Sequence, residues 1–316
     1  MLGRLLIGAI LLIAVHGVSA QQVILKGELV DQGSKQKIPY AHLIFTDVAI
    51  GTTSNKNGRF FLNIPNELLV KNVRISCIGY QEKIIPANQL ANATISLKKR
   101  VEELGEVVLV NNSAYHHKKN LNPFKNKRRI GLGNFSGGLY PSVLARYYPN
   151  DMQLPNPVYM DEVTIFFDEH YVGNSKFRLR VLSATDSLSP GEDLIRGNLI
   201  ITSYKYDRKI RVDLSGYSIK VPDNGFFIAV EHLFIKENSY EEKIDVRVND
   251  SVYKNVGTIR YGPIFKGVEE DKDVSNSYYM SNKGWKSMKG LNIPQYGSMF
   301  KEGKIASPAF KVKVVY

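Results

Sequence analysis

The chain has 316 residues, with 42 Lys and Arg against 30 Asp and Glu, giving a formal net charge of +12. Its single cysteine, Cys77, excludes an internal disulfide, and no apolar run beyond the N-terminus is long enough to cross a bilayer as a helix. An apolar content of 43% with 18 Tyr and 14 Phe supports real cores and leans toward β structure.

The N-terminus reads as a secretory signal peptide over residues 1–20. Arg4 supplies the basic start, Leu5 to Val15 the short apolar core, and Gly17-Val18-Ser19-Ala20 the small residues before a cleavage site after Ala20. Cleavage removes Arg4 and no acidic residue, so the charge of the remainder is +11 (12 minus 1). Such a basic chain suits anionic partners such as phosphate-bearing glycans, lipid head groups or acidic polymers. Export places nucleic acid last among them, and the expected location is the periplasm, the outer-membrane surface or the extracellular space. The remaining 296 residues (316 minus 20) suggest two domains.

Over residues 21–110, short strand-like runs alternate with turn signals, as in an all-β sandwich. Val23–Val30, Ala41–Phe45, Phe60–Ile64, Val73–Ile78, Thr94–Leu97 and Glu106–Val110 are the predicted strands. Between the second and third lies Asn55-Lys56-Asn57-Gly58, where Gly58 suits a turn position of positive φ.

Several motifs here resemble the carboxypeptidase-regulatory-like domain. They are Gly27-x-x-Val30-Asp31, Ile38-Pro39-Tyr40-Ala41, Gly51-Thr52 through Asn57-Gly58-x-Phe60-x-Leu62, Ser76-x-Ile78-Gly79-Tyr80, and Leu104-x-Glu106-Val107-Val108. The resemblance implies a transthyretin-like, seven-stranded β-sandwich common in bacterial exported proteins. It does not imply peptidase chemistry: the associated zinc enzyme needs a His-x-x-Glu pair, and none of the six histidines has Glu three residues later. Asn55 and Asn57 stand where the family often has acidic residues, which argues against calcium at this turn.

Residues 111–157 change composition. His116-His117-Lys118-Lys119 and Lys125-Asn126-Lys127-Arg128-Arg129 read as a solvated basic linker, Pro141–Tyr148 as a short helix. The glycine-rich Gly131–Gly138 lacks the Lys-Ser/Thr ending of a phosphate loop, and Ser136 lacks the flanking glycine of a nucleophile elbow.

From 158 to 316 strands return, and a second antiparallel sandwich of jelly-roll type is expected. The predicted strands are Val158–Phe167, Lys176–Ser183, Leu199–Tyr204, Lys209–Leu214, Tyr217–Val221, Phe226–Ile235, Ile244–Val248, Gly257–Tyr261 and Phe310–Val315. Phe177-x-Leu179-x-Val181, Pro190-Gly191-Glu192-Asp193-Leu194, Val212-Asp213-Leu214 and Phe226–Glu231 also resemble the sandwich that follows the regulatory-like domain in other exported bacterial proteins, which carries no known active site. Glu231 interrupts the longest apolar run, which suits the edge of a soluble sandwich.

Alternation supplies the candidate site. If Phe177, Leu179 and Val181 face the core, then Lys176, Arg178 and Arg180 share the outer face; Lys209 and Arg211 oppose Ile210 and Val212 in the same way. Near the end Lys311 and Lys313 alternate with Phe310, Val312 and Val314. Such basic rows suit docking to an anionic envelope glycan or lipid. The segment from Tyr261 to Pro308 reads as a long loop. Its Tyr278, Tyr279 and Trp285 either stack on a sugar or pin the loop to the sandwich.

The expected function is therefore a non-enzymatic exported envelope protein that binds an anionic glycan, a lipid or another envelope protein, with no cofactor and no metal. The alternatives are an envelope hydrolase built on the 261–308 segment around Glu269 and Asp271, and a small outer-membrane β-barrel closed by the aromatic-ended strand Phe310–Tyr316.

Overall fold

Gly27 lies in the middle of the first domain, where a Cβ would meet the Ala93 carbonyl oxygen at 2.4 Å. Only glycine lets three strands approach so closely there. In the computed structural model its strand, β1 (Gln22–Asp31), runs antiparallel to β4 (Arg59–Pro65) and parallel to β7 (Ala93–Leu97). A second sheet has the order β3 (Gly51–Thr53), β2 (His42–Phe45), β5 (Asn72–Ser76), β6 (Lys83–Pro86). Leu25, Leu29, Leu43, Phe45, Leu62, Ile64, Val73 and Ile75 fill the space between the sheets. This is the seven-stranded sandwich that the motifs imply.

Gly58 takes φ +71°, and a Cβ there would stand 2.8 Å from the Leu29 carbonyl oxygen. The Asn55 side-chain oxygen accepts from the Asn57 and Arg59 backbone N–H groups at 2.9 and 3.1 Å, which closes the turn locally.

The structure describes residues 21–100, 117–121, 129–150, 154, 157–168, 173–248, 251–273, 276–290 and 303–316. The expected signal peptide, the strand Glu106–Val110 and part of the 261–308 segment lie outside them, as does much of the expected linker.

The rest of that linker is not a linker. It holds β8 (Lys118–Leu121), β9 (Arg129–Leu132) and, in place of the expected helix, β10 (Val143–Tyr148). Tertiary pairing decides the last: β10 lies between two partners and is buried at every position but Arg146's neighbour Tyr147.

The remaining strands are β11 (Tyr159–Phe166), β12 (Ser175–Ala184), β13 (Pro190–Asp193), β14 (Ile200–Ser203), β15 (Lys209–Asp213), β16 (Phe226–His232), β17 (Ser239–Val248), β18 (Ser251–Tyr261), β19 (Phe265–Asp271), β20 (Ser277–Ser281), β21 (Gly284–Ser287), β22 (Lys304–Pro308) and β23 (Phe310–Val315). A large sheet has the order β13-β12-β16-β10-β20-β21, with β14 also on β12. It packs against a four-stranded sheet, β15-β11-β23-β8, and a three-stranded one, β22-β19-β9. Phe177, Leu179, Val181, Phe226 and Val230 meet Val163, Ile165, Phe310, Val312 and Val314 in the core.

Four strands, β19 to β22, therefore occupy much of the segment read as a long loop. Glu231 sits in β16, a central strand buried along its whole length, and not at an edge. The described strands fall into separate open sheets and not into one closed barrel.

Candidate functional site

The four-stranded sheet buries Phe310, Val312 and Val314 on its inner face, so period-two alternation turns Lys311 and Lys313 outward. Pairing aligns them with neighbours of the same kind. Thr164 has Lys311 on one side and Arg211 on the other, while Phe166 lies opposite Lys209. The outcome is a groove of about 360 Å³ lined by Lys209, Arg211, Lys311 and Lys313, with Glu162 as its one carboxylate.

Glu162 is shared. Its Oε2 lies 3.3 Å from Lys313 Nζ, and its Oε1 lies 3.9 Å from Arg211 Nε. An irregularity between Met160 and Glu162 also brings Asp161 within 3.6 Å of Lys313. Lys311 Nζ stands 5.5 Å above the centre of the Phe166 ring, a cation–π distance. Lys209 has no carboxylate partner among the described residues. Neighbouring strands lie about 4.8 Å apart and alternate residues roughly 6.8 Å apart along a strand, so the cations form a two-dimensional array. Such an array matches several anionic groups at once.

The other basic row has a different fate. Lys176 is half-buried, and its backbone is clasped by Asn238: its N–H donates to Asn238 Oδ1 at 2.7 Å, and its carbonyl accepts from Asn238 Nδ2 at 2.6 Å. Arg178 is 1% exposed and Arg180 is mostly covered, so neither forms a free basic face. Alternation places these residues on the side of β12 away from the core, as expected, but the first domain closes over Arg178, while Asn238 and Asp193 of the second hold Lys176 and Arg180.

Arg178 hydrogen-bonds the Glu231 carboxylate and the Tyr40 carbonyl, and its Nε donates to Asn198 Oδ1 at 2.7 Å. Glu231 Oε1 lies 3.0 Å from His42 Nε2, and His42 Nδ1 lies 3.0 Å from Thr53 Oγ1. Arg180 makes a bidentate pair with Asp193 at 2.8 and 2.7 Å. The Thr53 hydroxyl oxygen also accepts from the Phe234 N–H at 2.9 Å. Burial alone would raise the Glu231 carboxyl, but Arg178, His42 and Arg180 outweigh it and hold it well below the usual carboxylate range. Burial lowers His42 against the pull of Glu231, which favours the neutral ring.

This network floors a cleft of about 290 Å³ between the domains, with Arg74, Cys77, Arg100, Glu192 and Arg196 among its walls. Burial pushes the Cys77 thiol up, away from thiolate chemistry. Composition gave no hint of this junction; Glu231 inside a fully apolar run was its one visible signal.

The three aromatic candidates do not converge. Tyr278 packs edge-on against Phe227 at 5.6 Å, on the same side of the large sheet as Trp285. Tyr279 points to the opposite side and stacks on Phe135 at 5.5 Å. Glu270, between the carboxylates considered for hydrolysis, is buried against Arg146, and Asp271 pairs with Lys304.

No curated protein matches this chain. Among solved structures, a clostridial cysteine protease, Cwp84, aligns with 63% of the chain at 12% identity and a TM-score of 0.34, and the chain spans 40% of that protease's length. A protein of unknown function from Bacteroides fragilis NCTC 9343 aligns with 81% of the chain and 98% of its own length, at 10% identity and a TM-score of 0.20. Residues 25–109 match the family model of the CarboxypepD_reg-like domain, and the first sandwich is a domain of that kind.

Proposed function

We propose that this protein is a non-enzymatic binding module of the cell envelope. Its groove on the β15-β11-β23-β8 sheet takes the phosphate or carboxylate groups of an anionic envelope glycan or lipid. The observation that carries this reading is the groove itself, where Lys209, Arg211, Lys311 and Lys313 surround one carboxylate. A face built only for solubility would intersperse both signs more evenly.

A structural role for the junction supports the non-enzymatic part. His42 and Glu231 are held by Arg178 and Thr53, which leaves them no obvious freedom to exchange protons with a substrate.

The test is binding of residues 21–316 to lipopolysaccharide and to acidic polysaccharide across a salt series. Attachment is expected to weaken steeply as salt rises. Replacing Lys209, Arg211, Lys311 and Lys313 together by Gln is expected to abolish it and flatten the salt dependence. Unchanged binding by that variant overturns the groove assignment. Turnover of ester, peptide or glycoside panels by the purified protein overturns the non-enzymatic reading.

A further inference from the structure

β17 and β18 pair with each other and with no other described strand. They form a ribbon of 10 and 11 residues, consecutive in the chain. At its base the ribbon is anchored: Tyr261 stacks on Phe234 at 3.8 Å, and the Gly262 N–H donates to the Asn238 carbonyl at 2.9 Å. Beyond the base it stands in solvent. Val252, Tyr253, Val256 and Ile259 are 47%, 57%, 38% and 48% exposed, a concentration of large apolar side chains on one element. An isolated two-stranded ribbon is marginal in water, and a third or fourth strand is the usual remedy.

The two outer edges of the ribbon differ. On β18 the pairing slips, because Lys254 and Asn255 both stand opposite Asp245, and Asn255 takes φ +55°. A bulge of this kind bends a strand and spoils its edge for further pairing. Nearer the base, the loop holding Gly138 crosses β18 so closely that a Cβ at Gly138 would lie 2.5 Å from the Ile259 carbonyl oxygen. β17 carries no extra residue and pairs in regular steps on either side of Asp245.

The order of charges along β17 says what fits that edge. Glu241, Lys243 and Asp245 share one face and alternate in sign, with Ile244 between the last two on the other face. An antiparallel match of β17 with itself, on a two-fold axis through Ile244, sets Lys243 opposite Asp245 of the second copy, and the reverse. Because Ile244 already faces Val256, the central row of the joined sheet reads Val256, Ile244, Ile244, Val256 across four strands. Opposite charges facing each other and aliphatic pairs are both favourable cross-strand combinations.

We propose that β17 is a self-association edge, and that two copies of this chain join their ribbons into one four-stranded antiparallel sheet. The contact is isologous, as a two-fold dimer requires. It uses neither the basic groove nor the domain junction.

Sedimentation of residues 21–316 over a concentration series tests this directly, and a monomer–dimer equilibrium is expected. Lys243→Glu leaves only acidic groups at positions 243 and 245, and Asp245→Lys leaves only basic ones, so each variant alone is expected to be monomeric. Mixed, the two variants restore both opposite-charge pairs, and dimer is expected to return as the heterodimer. Asp245 Oδ1 also accepts the Asn255 N–H at 3.0 Å, so its replacement could disturb the ribbon. A second variant avoids that difficulty. Ile244→Cys places two thiols at the two-fold, with Cα atoms about 4.5–5.5 Å apart, and is expected to oxidise to a covalent dimer. Wild type carrying only Cys77 is expected to stay uncrosslinked. A wild type that is monomeric throughout the series, or an Ile244→Cys variant that does not cross-link under oxidation, overturns the proposal.

Discussion

His42 of the first sandwich and Glu231 of the second face each other with 3.0 Å between Nε2 and Oε1. Both are buried, and Arg178, from the same sandwich as Glu231, stands 3.4 Å from the same His42 nitrogen. Two domains meeting through a glutamate and a neutral histidine are coupled to pH as well as to each other.

The first prediction follows from that coupling. Burial lowers His42, and burial pushes His232 down to about 4 despite the carbonyls of Ser142 and Pro263 at 3.3 and 3.2 Å. Both rings are neutral in the folded protein where the unfolded chain, with histidine near 6.5, already binds protons. The unfolded state therefore takes up more protons in this window, so stability is full above about pH 6.5 and falls as the pH drops toward the folded values. For His232 the loss by pH 4 is about 3 kcal/mol, from a shift of roughly 2.5 units at about 1.4 kcal/mol each. Glu231 acts lower: its folded value is depressed, so its contribution is lost as the pH falls from the ordinary glutamate range toward that value. Urea midpoints between pH 7.5 and 4.5 check this. A flat profile, or one that His232→Gln leaves equally steep, rules it out.

A second prediction concerns the turn before β4. Gly58→Ala forces a side chain onto φ +71° and brings its Cβ within 2.8 Å of the Leu29 carbonyl oxygen. The combined strain and clash are expected to cost about 1–3 kcal/mol. Gly133→Ala makes the control, because its Cβ would meet nothing within 4 Å. Equal melting temperatures for the two variants contradict the prediction.

The Gly58 turn was legible because its requirement is local: one residue must take a positive φ, and the flanking residues say so. The inward set Phe177, Leu179 and Val181 was legible for a related reason, since alternation depends only on the strand. What covers the opposite face does not depend on the strand at all. The sequence pattern places Arg178 and Arg180 on a shared side and is silent on the domain that closes over it. Arg178 meets Glu231 from 53 residues away and His42 from 136 away, distances over which no periodicity carries information. Lys209 and Arg211 carry the same kind of pattern, and there the outer face stays open. β10 failed differently. Pro141 before an apolar run resembles a helix start, and only its pairing with β16 and β20 makes it a strand.

The last prediction tests whether the junction pair acts as a unit. Removing one member of a buried, hydrogen-bonded ion pair strands the other charge and typically costs about 3–5 kcal/mol. Arg178→Met leaves Glu231 with Arg180 at 3.8 Å as its remaining cation, and it leaves the Tyr40 carbonyl without this donor. Glu231→Leu leaves the Arg178 guanidinium buried beside His42. Each single variant is therefore expected to lose about 3–5 kcal/mol of unfolding free energy. The double variant removes both charges together, so its loss is expected to fall short of the sum by about 1–3 kcal/mol. Urea unfolding followed by the fluorescence of Trp285, the one tryptophan, measures all four proteins. Strict additivity would mean that Arg178 and Glu231 act independently.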